Sequence, residues 1–508
     1  MSKLDKIKKV YNGTTIINGT RQLASKILYN KSFQSQYKKW IEKSEPDDAE
    51  LSRQRKHEFK NQPLLSVVVP MYNTNQKYFA ELIDSLKNQT YAKWELCLAD
   101  GSPKKDDYFE NYVKDDKRIK YKFLNKNGGI SENTNAAIEF ATGDFIVFSD
   151  HDDLLPAFAF YEIVKAINDN PDAEYIYSDE DKIEAGVRKD PHFKPDYSPE
   201  TLLSQNYISH LSVVSAKLLK KVGPLRKKYD GAQDFDFTLR ATHQAKQVVH
   251  IPKVLYHWRI CEGSTAKDFA VKQYAIDAGK NAIKDFLNTR GIKSNIHETM
   301  IPGIYNAEIL PEKKPLVSII TKKTSISTTY ERYELIDSLE KAKGEYVVYV
   351  DEAIEIKNND FVEKMLGYAM LPEIAFVGVK IIDRKNNYLS AGVKTGKKAG
   401  YILSGKSVSM PWYFGYGMCV SDVSAVAPAL VMAKREYFTG GDIISLCEKA
   451  VKNGKRNVYY PAVEVIYDGK FPKANASKQA DRYFSTNIID HKYRKLVSWW
   501  LNDIIRVW

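Results

Sequence analysis

The stretch FATGDFIVFSDHDDLLP, residues 140–156, stops an apolar run at Asp150, His151, Asp152 and Asp153, so three carboxylates fall within four residues. On an extended strand end the side chains at i and i+2 share a face, which sets Asp150 and Asp152 together and turns His151 and Asp153 away. Two carboxylates ~4 Å apart repel by roughly 4 kcal/mol at an effective dielectric near 20. A divalent cation removes that penalty. Hard oxygen ligands favour Mg2+ or Mn2+, ions that complete their coordination with water and substrate phosphates. The competing reading is a cap on the following helix, where negative charge is favourable, but a cap needs one Asp rather than three.

Other polar groups extend the pattern. Asp100 in ADGS reads either as a turn Asp, the common fate of Asp-Gly, or as part of a site. Asp179, Glu180 and Asp181 in YIYSDEDKIEAG supply another acidic strand end, which the resemblance given below would set on an acceptor side and which otherwise reads as a solvated acidic loop. In GAQDFDFTLR, Asp234, Asp236 and Arg240 share one expected helix; Asp236 and Arg240 pair at i, i+4. Asp234, at the helix start, is then the freer carboxylate and the general-base candidate.

These residues need a frame. LLSVVVPMYN reads as a strand ended by Pro70, YFAELIDSLKNQ as an amphipathic helix, and WELCLADGS as a second strand with its turn. KYKFLNKNGG is a third strand, SENTNAAIEFATG a helix, and the run before Asp150 a fourth strand. This alternation predicts a mostly parallel sheet with helices on both faces, which binds ligands at the carboxyl ends of its strands. Tyr72 and Asn73, Asp100, Asn127, and Asp150 with Asp152 each fall at such an end.

The pattern repeats. PLLSVVVPMYN at 63 returns as PLVSIITKKTS at 315, an offset of 252, and Gly143 and Asp150 return as Gly344 and Asp351, an offset of 201. The shortfall of 51 residues removes the counterparts of Asp100 and of the NKNGG turn, and VDEA stands where the first copy has SDHDD. The second copy is expected to keep a core and lack the polar site.

In order, VVVPMYN, ADGS, NKNGGIS, FATGDFIVFSDHDD, SDEDK, FKPDYSPETLLSQNYISHLSVV, GAQDFDFTLR and IPKVLYHWR closely resemble glycosyltransferase family 2, the inverting nucleotide-sugar enzymes of the GT-A fold. Within it the chain looks like the bacterial branch that assembles O-antigens, rhamnose-containing polysaccharides and similar surface glycans. The resemblance covers residues 63 to about 266, and residues 315–470 are similar to the second glycosyltransferase-like domain that often follows. It implies a UDP- or dTDP-sugar donor with Pro70, Tyr72 and Asp100 in the base and ribose pocket. Asp150 and Asp152 match the D-x-D motif, Asp152 as metal ligand and Asp150 nearer the ribose, and Asp234 matches the catalytic base. Lys194, Tyr207 and His210 fall in family-like segments. Ala99, Gln233 and Cys261 depart from the usual Asp, Glu and His, and His257 is the candidate to replace the last. The implied acceptor is a growing cell-surface glycan, lipid-linked, or alternatively a glycan on a protein.

The expected layout is a basic helical arm over 1–62, a catalytic domain over 63–300, a degenerate copy over 312–480 and an amphipathic helix over 481–508. Residues 1–62 carry 14 Lys/Arg against 7 Asp/Glu, and residues 470–508 carry 8 against 3, so the net charge of +12 sits at the two ends. Basic flanks of this kind meet an anionic membrane surface or serve solubility; no basic-aromatic module points to nucleic acid. Tyr493, Leu496, Val497, Trp500, Ile504 and Trp508 form one helical stripe, fit to dock on this chain, on a second copy in an oligomer, or on a membrane. No apolar run approaches the ~20 residues that span a bilayer, and the expected location is cytosolic, at the inner face of the membrane. A dinucleotide-binding dehydrogenase fails on VVVPMYNTN, which lacks the glycines a pyrophosphate requires. A phosphatase with an Asp-x-Asp pair fails on position, since its pair should follow the first strand and here follows the fourth. A non-catalytic carbohydrate-binding role suits the second copy better than the first.

Overall fold

The computed structural model describes residues 35–260, 269–396, 399–410, 412–477 and 483. Most of the expected C-terminal helix, residues 1–34 of the arm, and Cys261 lie outside them. The first sheet contains β1 (Leu65–Met71), β2 (Trp94–Asp100), β3 (Ile119–Phe123), β4 (Phe145–Phe148), β5 (Ala173–Glu184), β6 (Val187–His192), β7 (Ser212–Ser215) and β8 (Gln247–Arg259). Their order is β3-β2-β1-β4-β7-β5-β6, with β8 added to β5. β1 runs parallel to β2 and β4, and β2 to β3. β7 is antiparallel to β4 and β5, while β8 is parallel to β5.

β1 and β2 are buried along their whole length, as strands covered on both faces must be. Alternation sorts their side chains. Val67, Val69, Leu96 and Leu98 pack with Phe79, Leu82, Ile83 and Leu86 of helix Gln76–Lys87. Val68, Cys97 and Ala99 enter the opposite cluster with Phe235 and Phe237. Asn75 starts helix Gln76–Lys87 by accepting hydrogen bonds from the Lys77 and Tyr78 amides, a cap that satisfies donors the helix leaves unpaired. Pro70 does not end β1, contrary to the sequence expectation: the strand continues to Met71. The last β4 pair is Val68 with Phe148, so Pro70 lies beyond it, where a missing N–H costs no ladder bond.

The second half repeats this sheet. Val317–Ile320 runs parallel to Tyr333–Ile336 and Tyr346–Val350. Leu430–Lys434 lies antiparallel between Tyr346–Val350 and Ile374–Ile382, and Arg456–Tyr467 is parallel to Ile374–Ile382. These are the relations of β1, β2, β4, β7, β5 and β8. The duplication reaches side chains: Ser66 Oγ donates to Glu95 Oε1 at 2.6 Å and accepts from the Gly143 amide at 2.8 Å. Ser318 Oγ donates to Glu334 Oε1 at 2.6 Å and accepts from the Gly344 amide at 2.8 Å. A counterpart of β2 survives as Tyr333–Ile336; the offset is 239 at Glu95 and Glu334, so thirteen residues are lost before it and thirty-eight after it. The second loss removes β3 and the helix after it.

The described part of the N-terminal segment, from residue 35, packs on the first half. In the helix over 35–44, Tyr37 is buried and its hydroxyl donates to Asp181 at 2.6 Å, and Glu45 just beyond pairs with Arg188 at 2.6 Å.

Candidate functional site

Being parallel, β1, β2 and β4 deliver Tyr72, Asp100 and Asp150 to one edge of the sheet. Asp100 is fully buried; it accepts from the Tyr121 hydroxyl at 2.8 Å and from the Ser102 amide at 2.9 Å. Ser102 Oγ in turn accepts from the Asn73 amide at 2.9 Å, tying the β1 and β2 ends together. Tyr72, one residue beyond β1, is 44% exposed, while Pro70 is buried. Asn127 orders the turn after β3, accepting from the Gly129 amide and from Asn133.

The acid turn differs from its sequence reading. β4 ends at Phe148, so the period-two alternation does not extend to Asp152, and the chain turns through His151 and Asp152. Asp153, which the alternation turns away, comes together with Asp150. Asp153 is buried; its carboxylate accepts from the Tyr256 hydroxyl at 2.6 Å and from the Arg259 amide at 2.7 Å. Burial first, then the charges of Asp150 and Asp152, push its acid well above the ordinary range. Arg259 Nε also donates to the Asp152 carbonyl, and Leu154 bridges to His257, so the end of β8 clamps the whole turn.

Asp150 is half-buried and faces His210, with Oδ2 3.4 Å from Nε2. Burial works against a charged His210 ring, but the bond to Asp150 and the charges of Asp150, Asp153 and Glu180 prevail and raise it to about 9. Asp150, Asp153 and His210 each offer a ligand atom within 4.8 Å of the others. Two carboxylate oxygens and an imidazole nitrogen suit a hard or borderline divalent ion such as Mn2+ or Mg2+. The repulsion that raises Asp153 is the one such an ion would relieve.

Asp234 opens helix Gln233–Gln244, and Asn206 Nδ2 donates to its Oδ2 at 2.8 Å. Burial raises its acid, with the nearby charges of His210 lowering and Asp150 raising it. It therefore shares the electrostatic environment of the acid turn. Asp236 and Arg240 pair as expected, at 2.9 Å, but Arg240 also donates to the Val222 and Pro224 carbonyls and is joined on Asp236 by Arg226. That buried ion cluster anchors the helix.

The solvated-loop alternative for residues 179–181 is overturned: all three are buried within β5. Asp179 binds the Lys194 amide and His250; Asp181 binds Tyr37, Arg188 and His257. His257 therefore meets Asp181 at 2.6 Å and stands outside the Asp150, Asp153 and His210 group. Glu180 accepts from the His210 amide at 3.2 Å and pairs with Lys194, which also donates to the Ile208 and His210 carbonyls. Burial opposes the Glu180 charge, yet Lys194 and His192 hold its acid down at about 2. Lys194 and Glu180 thus fix both backbone polar groups of His210.

Sequence reasoning gave no role to Asn206, Tyr256 and Arg259 and turned Asp153 away from Asp150; their contacts come from segments distant in the chain. It also missed the second half's part in the site. Gln205 donates to the Phe414 carbonyl at 3.0 Å, Phe414 stacks on His192 at 3.6 Å, and Ser198 donates to Asp422 at 2.7 Å. Glu200 receives Arg456 at 2.9 and 3.0 Å. These contacts converge on the segment leading to Asn206 and His210.

Residues 66–222 match glycosyl transferase family 2. The chain is 34% identical over 511 aligned residues to the uncharacterized protein y4gI of Sinorhizobium fredii, covering 86% of this chain and 56% of that one. It is 26% identical over 485 residues to the O-antigen biosynthesis protein RfbC of Myxococcus xanthus, covering 83% of this chain and 38% of that one. It therefore spans little more than half the length of the first relative and less of the second. Among solved structures, S. aureus TarS in complex with UDP-GlcNAc aligns over 44% of this chain and 72% of that one, at 22% identity and a TM-score of 0.35.

Proposed function

We propose that this chain, which carries a glycosyl transferase family 2 domain over residues 66–222, moves a sugar from a UDP- or dTDP-sugar to a hydroxyl of a growing bacterial cell-surface glycan, with inversion. The observation that carries the reading is the convergence of Asp150, Asp153 and His210 within 4.8 Å, with Asp234 in the same electrostatic environment. The relative named for O-antigen biosynthesis supports the glycan class.

In this reading Tyr72 and Asp100 receive the base and ribose, and the acid turn faces the diphosphate. A divalent cation held by Asp150, Asp153 and His210, with Asp152 of the D-x-D motif beside them, would supply positive charge to the departing diphosphate. Asp234 takes the proton of the acceptor hydroxyl while that oxygen attacks the anomeric carbon from the face opposite the diphosphate. The new carbon–oxygen bond forms as the sugar–phosphate bond breaks, and the electron pair leaves on the phosphate oxygen. Burial that raises the Asp234 acid makes it a stronger base toward a hydroxyl. The acceptor is lipid-linked, and the basic chain ends meet anionic headgroups at the inner face of the membrane; no helix among the described residues is long and apolar enough to cross one.

The test is a panel of UDP- and dTDP-sugars with Mn2+. Slow hydrolysis of one donor, lost in Asp152→Ala and on chelation, is expected; phosphate release from simple phosphomonoesters without sugar dependence overturns the reading.

A further inference from the structure

Trp258 is the exposed end of a wall of rings that leads out of the acid turn. Its neighbours on β8 are pulled inward, His257 to Asp181 at 2.6 Å and Arg259 to Glu81 at 2.6 Å and to Asp153. Trp258 stays 43% exposed. Its ring meets the edge of His210 at 5.9 Å and 76°, and His210 stacks flat on buried Tyr256 at 4.5 Å and 10°. The middle ring, His210, is the one that faces Asp150. A second exposed aromatic lies on the Asp234 side: Tyr274, 50% exposed, rests against Gly231, where a Cβ would come within 2.3 Å of its ring.

We propose that Trp258 is the floor of a saccharide subsite, its indole face taking the C–H-rich face of a pyranose of the acceptor glycan beside the acid turn. Indole offers a large, rigid apolar surface with a negative face, which suits polarised sugar C–H groups while the hydroxyls point to water. Ligand sites are lined by aromatic side chains with a few placed polar groups, and Trp258 meets His210, which faces Asp150. A lipid surface is the weaker occupant, because Asp150 and Asp153 stand behind His210 and would face anionic headgroups. The place of this subsite in a reaction rests on the glycosyltransferase reading; its capacity to bind sugar does not.

The experiment is saturation-transfer NMR on the full chain, without metal or donor, against methyl pyranosides of glucose, galactose, mannose, rhamnose and N-acetylglucosamine. At least one should receive saturation on its apolar face. Trp258→Phe should keep the signal, and Trp258→Leu, apolar but without a ring, should weaken binding roughly tenfold. Replacing the tryptophans by 5-fluorotryptophan gives a second readout: the 19F line missing from Trp258→Phe should shift on titration with the bound sugar. No saturation from any pyranoside, equal binding by Trp258→Leu, or a 19F shift with anionic phosphatidylglycerol vesicles and none with sugars overturns the proposal. Sugar binding without donor hydrolysis would defeat the transferase reading alone; donor hydrolysis without sugar binding would defeat the subsite alone.

Discussion

The two halves share a sheet, a strand order and a Ser–Glu–Gly hydrogen-bond joint, yet among the described residues the cluster of two acids and a histidine lies in the first. Register locates the difference. Phe148 pairs with Ser212 and Tyr349 with Val431, so the position of His210 is held by Ala429 in the second half. Asp150 is answered by Asp351, which spends its carboxylate on the Ala353 amide at 2.8 Å. Tyr177 and Gly378 occupy matching places, so Asp179, Glu180 and Asp181 become Lys380, Ile381 and Ile382. Buried charges are costly unless paired, and in the first half Lys194 pairs with Glu180 and Arg188 with Asp181, while His250 and His257 hydrogen-bond Asp179 and Asp181. Where the acids are gone, the second half has two buried isoleucines and a lysine paired with Glu464 at 2.7 Å. What the duplication preserves is the scaffold; the crevice is an addition that a scaffold tolerates.

The second half nevertheless bears on the crevice. Phe414, Asp422 and Arg456 brace the segment from His192 to Gln205 that leads to Asn206 and His210.

The sharpest way to break the comparison is a matched pair of substitutions. Asp234→Asn should lower donor-to-acceptor turnover by about a thousandfold, the scale of a lost general base. Asp351→Asn, the second half's counterpart of Asp150, should leave turnover unchanged, and calorimetry on the full chain should find one UDP bound per chain; two would return a site to the second half.

A smaller effect separates the halves by pH. Glu180 has a folded-state acid constant of about 2, below its ordinary value, so its charge stabilises the fold above the ordinary value and the contribution is lost as pH falls through about 2. Glu180→Gln should therefore cost on the order of 2–3 kcal/mol near neutrality in urea unfolding. The gap should close as the pH drops. A Glu180→Gln deficit that persists unchanged in acid would mean that packing, not charge, is at stake.

Least in size, and a test of likeness rather than difference, are Gly143→Ala and Gly344→Ala. A Cβ at Gly143 would lie 2.6 Å from the Leu64 carbonyl oxygen, and one at Gly344 2.7 Å from that of Leu316. Each should lower stability by about 1–3 kcal/mol. A loss in only one half would show that the joint is not equivalent.

Much of this was legible in the chain itself. The alternation of strands and helices, the repeat through Gly143 and Gly344, the carboxyl-end placement of Asp100 and Asp150, and the Asp236–Arg240 pair follow from periodicity and spacing, which are local. The partner of Asp150 was not legible, because Asp153 reaches it only after the chain leaves β4 and turns. Nor was the burial of Asp179 and Asp181, whose partners arrive from Arg188, Lys194, His250 and His257 on other segments.

Residue order by itself determined which strands form and which side chains stand at their ends, because backbone periodicity and turn chemistry act over a few neighbours. Only the tertiary structure decided which acids face one another, which are neutralised, and that a second sheet braces the first. Those outcomes depend on strand register and on charges brought close from distant segments, where a shift of one position turns a side chain to the opposite face.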